Sequence, residues 1–189
     1  MSYPTQAVFI AEGDKVRTWS PEIRKHPAID WMHHFTTKVF DGRGWDVPAT
    51  KYALPDFILK KSDGTVVKGA EEGWEADKAL YAPFTAHKHE PNQFMMAETN
   101  DGWMMSAGAD LFVNIHGQPD EGEKKVKDFE GKEWDAVVSA MFRFVYVKVD
   151  DEDAYQGIKL RSIEIFSDPL PALGLMLKRG VVKPEQLLG

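Results

Sequence analysis

The chain has 189 residues, of which 43% are hydrophobic and 12% aromatic, so it can form one globular domain with a substantial core. Its 23 Lys and Arg residues against 30 Asp and Glu give a net charge of −7, which argues against a nucleic-acid or anionic-membrane partner. Cysteine is absent, which excludes disulfides, thiolate metal sites and a cysteine nucleophile. We see no secretory signal and no membrane-length apolar run, and therefore expect a soluble, cytoplasmic protein.

The first predicted element is a helix that follows an N-terminal extension, residues 1–19. Ser20, Pro21 and Glu22 have the properties of an N-cap, a first helical residue and a first-turn acid. The apolar residues that follow at helical spacing are Ala28, Trp31, Met32, Phe35 and Val39. Pro27 should kink or restart this helix, and Gly42 and Gly44 should end it.

The middle of the chain changes from helix to strand. Residues 51–69 predict a strand and a turn at Asp63-Gly64, and residues 69–84 predict an acidic amphipathic helix. Long strands are then predicted over 84–98 and 103–117, separated by a turn, and over 135–150 and 157–169.

Two further segments complete the predicted domain, which spans 20–180. The insert at about 117–135 is rich in glycine and charge, which indicates a solvated excursion that could also serve as a lid. A short capped helix is predicted over 167–180, followed by a C-terminal tail, 181–189. Helices followed by a meander of strands predict an α+β fold: one mostly antiparallel sheet of four to six strands with helices on one face.

This order of elements resembles the nuclear-transport-factor-2-like superfamily, and within it the SnoaL-like polyketide-cyclase branch. The segment with the most specific likeness is the last strand, "GIKLRSIEIFSDPLP", and "LPDFILKKSDGTVVKG" is similar to the first strand pair of the family. The resemblance covers about residues 20–175. It implies a cone-shaped fold, in which a strongly curved sheet wraps the N-terminal helices around one deep pocket.

The same resemblance implies what the pocket does. The family includes cofactor-independent lyases, isomerases and cyclases such as scytalone dehydratase, ketosteroid isomerase and limonene epoxide hydrolase. It also includes adaptors without catalysis, so the fold alone does not decide whether this chain is an enzyme. No phosphate loop, nucleophile elbow or dinucleotide fingerprint is present, and we expect no organic cofactor.

His87 is the first candidate catalytic residue. The sequence "TAH" at 85–87 resembles the Thr-x-His of scytalone dehydratase, and a neutral imidazole there could transfer a proton. His89 lies on the same strand face because side chains alternate, and we place it toward the rim of the pocket. The pair could hold a metal only with a third ligand, which the spacing does not supply, so no metal site is predicted. A hydrogen-bonded structural histidine is the alternative for His87.

Three carboxylates complete the candidate catalytic set. Glu164 and Asp110 fall roughly where limonene epoxide hydrolase has its paired aspartates, although Gly108 stands in place of its bridging arginine. Two carboxylates facing one pocket could divide acid and base roles. Their structural alternatives are a partner for Arg143 or Arg161 and an exposed sheet position. Asp56 lies near the first-strand aspartate of the family, and a turn or cap role is its alternative.

The candidate substrate-binding residues are mostly large aromatic side chains that could instead belong to the core. They are Tyr52, Trp74, Tyr81, His89, Trp103, Phe112 and Tyr146.

Two functions remain open from the sequence. The first is a cofactor-independent lyase, isomerase or cyclase that transfers a proton on an apolar carbonyl compound, such as a polyketide or terpenoid. The second is a non-catalytic small-molecule-binding or dimerisation module of the same fold. The strand "FRFVYVKV" is apolar on both faces, which predicts that a second copy covers the outer face in a homodimer.

Overall fold

The computed structural model describes residues 6–186, so residues 1–5 of the predicted extension and 187–189 of the predicted tail lie outside it. Its strands are β1 Val8–Glu12, β2 Ala53–Lys60, β3 Val66–Lys68, β4 Phe84–Glu98, β5 Gly102–Ile115, β6 Val126–Lys127, β7 Glu133–Trp134, β8 Ala136–Lys148 and β9 Ile158–Ser167. Its α-helices are α1 Asp14–Arg17, α2 Pro27–His34, α3 Ala70–Ala79 and α4 Leu170–Lys178.

Seven strands form one sheet in the order β1-β4-β5-β8-β9-β2-β3. All neighbours pair antiparallel except β2 and β9, which are parallel. The α+β class and the mostly antiparallel sheet are confirmed, whereas the predicted count of four to six strands is wrong. Two short edge strands account for the difference, and one of them, β1, lies in the segment that the sequence analysis treated as an extension.

The N-terminal helices pack against one face of this sheet. The predicted α-helix starts at Pro27, not at Ser20, and the segment between these two residues contains a short 3₁₀ turn, Ile23–Lys25. Proline suits the first position of a helix and not its interior, because it has no N–H to donate to a preceding turn. The Trp31 indole is fully buried and donates to the Ile158 carbonyl at 3.1 Å, which ties α2 to the sheet.

The predicted insert folds back onto the outer face of the sheet. Strands β6 and β7 form a small hairpin in which Trp134 is buried. The Trp134 ring centroid lies 6.3 Å from that of Phe112, and the indole N–H donates to the Asp128 carboxylate at 3.0 Å. Lys88, on the outer face of β4, also donates to Asp128 at 3.0 Å. Since the hairpin contacts the outer face, it does not cover the space between the sheet and the helices.

No helix among the described residues is long and apolar enough to cross a membrane.

Candidate functional site

Two cavities lie between the helices and the inner face of the sheet. The first, called the inner cavity, has a volume of about 60 Å³ and is lined by residues that include Met32, Asp77 and Phe144. The second, called the outer cavity, has a volume of about 220 Å³, lies on the same side of the sheet and is lined by residues that include Leu80, Val138 and Met176. They are adjacent, because the same four residues contribute to both walls: Tyr81, His89, Phe142 and Ile165. The wall of the outer cavity also includes residues of α4, so this helix closes the space at that end. A molecule that occupied both cavities would contact His89 and Tyr81 near its midpoint.

His89 points into these cavities from β4, and its ring is held by Asp41 on one side and Tyr81 on the other. Its Nδ1 lies 2.7 Å from Asp41 Oδ1, and its backbone N–H donates to both Asp41 oxygens at 3.1 Å. Its Nε2 lies 3.1 Å from the Tyr81 hydroxyl. A carboxylate only accepts hydrogen bonds, so in the neutral imidazole Nδ1 carries the hydrogen and Nε2 presents its lone pair. Burial raises the pKa of Tyr81, so the phenol stays protonated and donates to that lone pair.

Asp41 reaches His89 because α2 continues into an unusual helix. Residues Phe35–Phe40 form a π-helix, and the Asp41 N–H donates to Thr36 O, five residues earlier, at 2.8 Å. Short π-helical turns widen the helix and occur often at functional sites. Here the turn places the Asp41 carboxylate and the Phe40 carbonyl side by side against β4, where each accepts from one histidine.

His87 lies behind His89 and does not line either cavity. Its side chain is fully buried, and its Nε2 lies 3.1 Å from the Phe40 carbonyl, which can only accept. The ring packs against both Trp45 and Tyr81, with ring centroids 6.2 Å and 4.6 Å away. From the sequence, His87 was expected in the pocket and His89 toward its rim. The structure reverses these positions, since Phe40 at the end of the π-helix and Trp45 beyond it cover His87.

We expect His87 to limit stability in acid. Burial, followed by the neighbouring His89, lowers the pKa of His87 from 6.5 to about 4. The unfolded chain therefore takes up a proton at this position before the folded protein does, and stability is lost as the pH falls from 6.5 to 4. The loss amounts to about 3 kcal/mol. Denaturant unfolding of wild type and His87→Gln across this pH range should show a smaller acid loss in the variant. Equal losses in the two proteins would contradict this account.

Asp77 is the second acid that the structure brings to the site. It lies on α3, one turn before Tyr81, and lines the inner cavity. Only 6% of its surface is exposed, and its carboxyl has no hydrogen bond or ion pair within residues 6–186. Burial raises the pKa of Asp77 to about 7, and only the nearby His89 opposes this shift. A carboxyl in this position holds a proton near neutral pH.

Asp41, His87 and His89 also form a set that could bind a metal ion, with one ligand atom of each within 4.8 Å of the others. The hydrogen bonds of the cluster argue against this use. The His87 nitrogen nearest Asp41 carries the hydrogen that it donates to Phe40, and a protonated nitrogen has no lone pair for a metal. The arrangement fits a hydrogen-bonded acid–base pair better than a metal centre.

The carboxylates Glu164 and Asp110 do not stand beside the histidines. On β9, Ile163 and Ile165 line the cavity, so alternation turns Glu164 to the outer face. There it pairs with Lys60 and with Arg143, the latter at 2.9 Å. Asp110 also faces outward and accepts from the Ser139 hydroxyl at 2.5 Å.

The remaining predicted residues also lie away from the two cavities. Asp56 is exposed on β2, at an irregularity in its pairing with β9. Phe112 lies on the outer face beneath the hairpin. The other four aromatic candidates belong to the buried core: Tyr52, Trp74, Trp103 and Tyr146. Of the predicted substrate-binding residues, Tyr81 and His89 line the cavities.

Solved structures with the same architecture include several enzymes. A candidate scytalone dehydratase from Novosphingobium aromaticivorans matches with a TM-score of 0.57 and 9% identity, over 80% of this chain and 88% of its own. A candidate SnoaL-like polyketide cyclase from Jannaschia sp. matches with a TM-score of 0.52 and 14% identity, over 92% and 99%. The hexachlorocyclohexane dehydrochlorinase LinA type 2 matches with a TM-score of 0.53 and 11% identity, over 80% and 89%.

These identities are low, so the comparisons bear on the fold and not on the activity. No protein-family model matches the sequence, and neither does any curated protein. The shared sheet and helix order nevertheless extends over four fifths or more of the chain. The chain therefore shares the α+β fold of these proteins, one mostly antiparallel sheet with helices on one face.

Proposed function

We propose that the protein is a cofactor-independent lyase, isomerase or cyclase that removes a carbon-bound proton with His89 as the general base. The observation that carries this proposal is the Asp41–His89 pair at the junction of two largely apolar cavities. It replaces His87, Glu164, Asp110 and Asp56 as the centre of the chemistry.

The contacts of His89 are those that a base requires. Asp41 accepts from Nδ1 and stabilises the imidazolium that forms when Nε2 takes up a proton. The two backbone hydrogen bonds hold the carboxylate in place, so little reorganisation accompanies the proton transfer. The Tyr81 hydroxyl marks the direction in which the lone pair points, and a substrate would occupy that position or lie beside it.

The surroundings of His89 indicate the kind of substrate. The ionisable side chains of the inner cavity wall are Asp77, Tyr81 and His89, and most of the other wall residues are apolar. Such a space suits an apolar molecule with a few polar groups. A histidine removes a proton from carbon most readily where the resulting charge is delocalised, as it is next to a carbonyl. An apolar carbonyl compound fits the cavity wall and has an acidic carbon. Polyketides and terpenoids include such compounds.

The β-acetoxy ketone 4-acetoxy-4-phenylbutan-2-one tests this function without knowledge of the natural substrate. Acetate leaves without being protonated, so a base alone can drive elimination to benzalacetone, whose absorbance reports the rate. We expect saturable acceleration that persists in the presence of a chelator. A rate equal to that of bovine serum albumin at the same concentration would contradict the proposal.

A homodimer formed through the outer sheet face is part of the same proposal. Met95, Met104 and Phe166 lie on this face and are 41%, 40% and 52% exposed. Met95 and Met104 are close together on β4 and β5, whereas Phe166 lies further along this face on β9. Exposed apolar side chains spread over one sheet face favour burial against a second copy.

Light scattering at low micromolar concentration should give twice the 21.4 kDa mass of one chain. Phe166→Asp should shift the protein to monomer, because it places a charge in the proposed interface. Val66→Asp changes an equally exposed residue on the edge strand β3 and should leave the mass unchanged. A wild-type monomer would refute the dimer.

A further inference from the structure

We propose that the substrate carries a hydroxyl group β to its carbonyl and that Asp77 is the catalytic acid that protonates this hydroxyl as it departs as water. The inference rests on the proposed role of His89 as base and assigns the protein to dehydration.

The position of Asp77 supports this role. Asp77 and His89 line the same inner cavity, Asp77 from the helix side and His89 from the sheet side. His89 also lines the outer cavity, whereas Asp77 belongs to the inner one alone. A substrate that spans the two cavities would thus present its reacting carbon to His89 and its far oxygen to Asp77.

The surroundings of Asp77 favour an acid that holds its proton. Within residues 6–186 its carboxyl has no ion pair and accepts no hydrogen bond, and the inner cavity wall contains no lysine or arginine. An uncompensated buried carboxylate is costly, so burial favours the neutral form. A structural role would normally bring a hydrogen-bond partner, as Asp41 and Asp128 have.

The chemistry explains why an acid is needed beside the base. Hydroxide is a poor leaving group, whereas acetate or chloride departs without a proton. In the proposed step, His89 Nε2 takes the proton from the carbon next to the carbonyl, and the electron pair of that C–H bond becomes the new C=C bond. The C–O bond breaks, and its oxygen takes the proton of Asp77, which gives water. Transfer of the proton from the imidazolium to the carboxylate restores both residues.

A matched pair of probes separates the acid from the base. The β-hydroxy ketone 4-hydroxy-4-phenylbutan-2-one gives the same enone as the β-acetoxy ketone, but its leaving group needs a proton. Asp77→Asn should slow elimination of the hydroxy ketone at least ~10²-fold and that of the acetoxy ketone less than about threefold. His89→Gln should slow both. Glu75→Gln, an exposed acid on the same helix, should slow neither.

Every other outcome contradicts one of the two proposals. Equal loss for both probes in Asp77→Asn would show that Asp77 supports the fold or the base, and no loss for either would show that it has no role. Turnover of the acetoxy ketone without turnover of the hydroxy ketone would refute Asp77 as the acid and leave the base intact. Turnover of neither probe by the wild type would refute the proposed function itself.

Discussion

His89→Gln should reduce kcat/KM for the β-acetoxy ketone by about 10²–10⁴-fold, the usual contribution of a general base. Glutamine can keep a hydrogen bond to Asp41, but its amide nitrogen has no lone pair that could accept a proton. Asp41→Asn should lower the rate on the order of 10²-fold, because the amide can donate to Nδ1 and thereby move the imidazole hydrogen to Nε2. Both effects should appear in kcat more than in KM.

Two sets of variants control for indirect effects. His116→Gln changes an exposed histidine beyond β5 and should leave the rate unchanged. Circular dichroism and the thermal midpoint should show that the His89 and Asp41 variants remain folded. A loss in Glu164→Gln or Asp110→Asn equal to that in His89→Gln would return the chemistry to these outer-face acids, which were candidates from the sequence.

Asp77→Asn should make the protein more stable than wild type at alkaline pH. The folded-state pKa of Asp77 is about 7, against an ordinary value of 3.8. The folded protein therefore holds this proton after the unfolded chain has lost it, and the wild type loses stability as the pH rises from about 4 to 7. Between pH 5 and 7 this loss amounts to about 3 kcal/mol. The variant has no such carboxyl and should not show it.

Urea unfolding of the two proteins at several pH values measures this difference directly. The two proteins must be compared at each pH, because His87 lowers the stability of both as the pH falls, whereas Asp77 lowers that of the wild type as the pH rises. Asp56→Asn removes an exposed aspartate and should follow the wild-type curve. Parallel curves for wild type and Asp77→Asn would show that Asp77 ionises as freely in the folded protein as in the unfolded chain.

The fold could be read from the sequence because its signals are local. The long strands were predicted from turns and alternation, and β5 and β8 occur close to the expected bounds. The short strand β1 was missed because Val8–Glu12 becomes a strand by pairing with β4, which is distant in the sequence. The start of α2 was misplaced because Ser20 and Pro21 together have the pattern of a helix start, whereas Pro27 begins the α-helix.

The site was harder to predict because it depends on contacts between distant segments. The sequence identified the His87 and His89 pair, but which of the two is covered depends on the loop after α2, more than 40 residues earlier. Asp41 was not recognised because a π-helix is needed to direct it at β4. Asp77 did leave a signal, since it shares the buried face of α3 with Trp74 and precedes Tyr81 by four residues. A carboxylate among aromatic residues at helical spacing could have been recognised.

The measurement that tests the central claim most directly is the position of the hydrogen on the neutral His89 ring. Nitrogen NMR of protein labelled at histidine, with His89→Gln used to assign the signal, distinguishes the two ring nitrogens. The account predicts hydrogen on Nδ1, donated to Asp41, and a lone pair on Nε2 at the cavity. Hydrogen on Nε2 and a lone pair on Nδ1 would contradict it, because no base would then face the substrate.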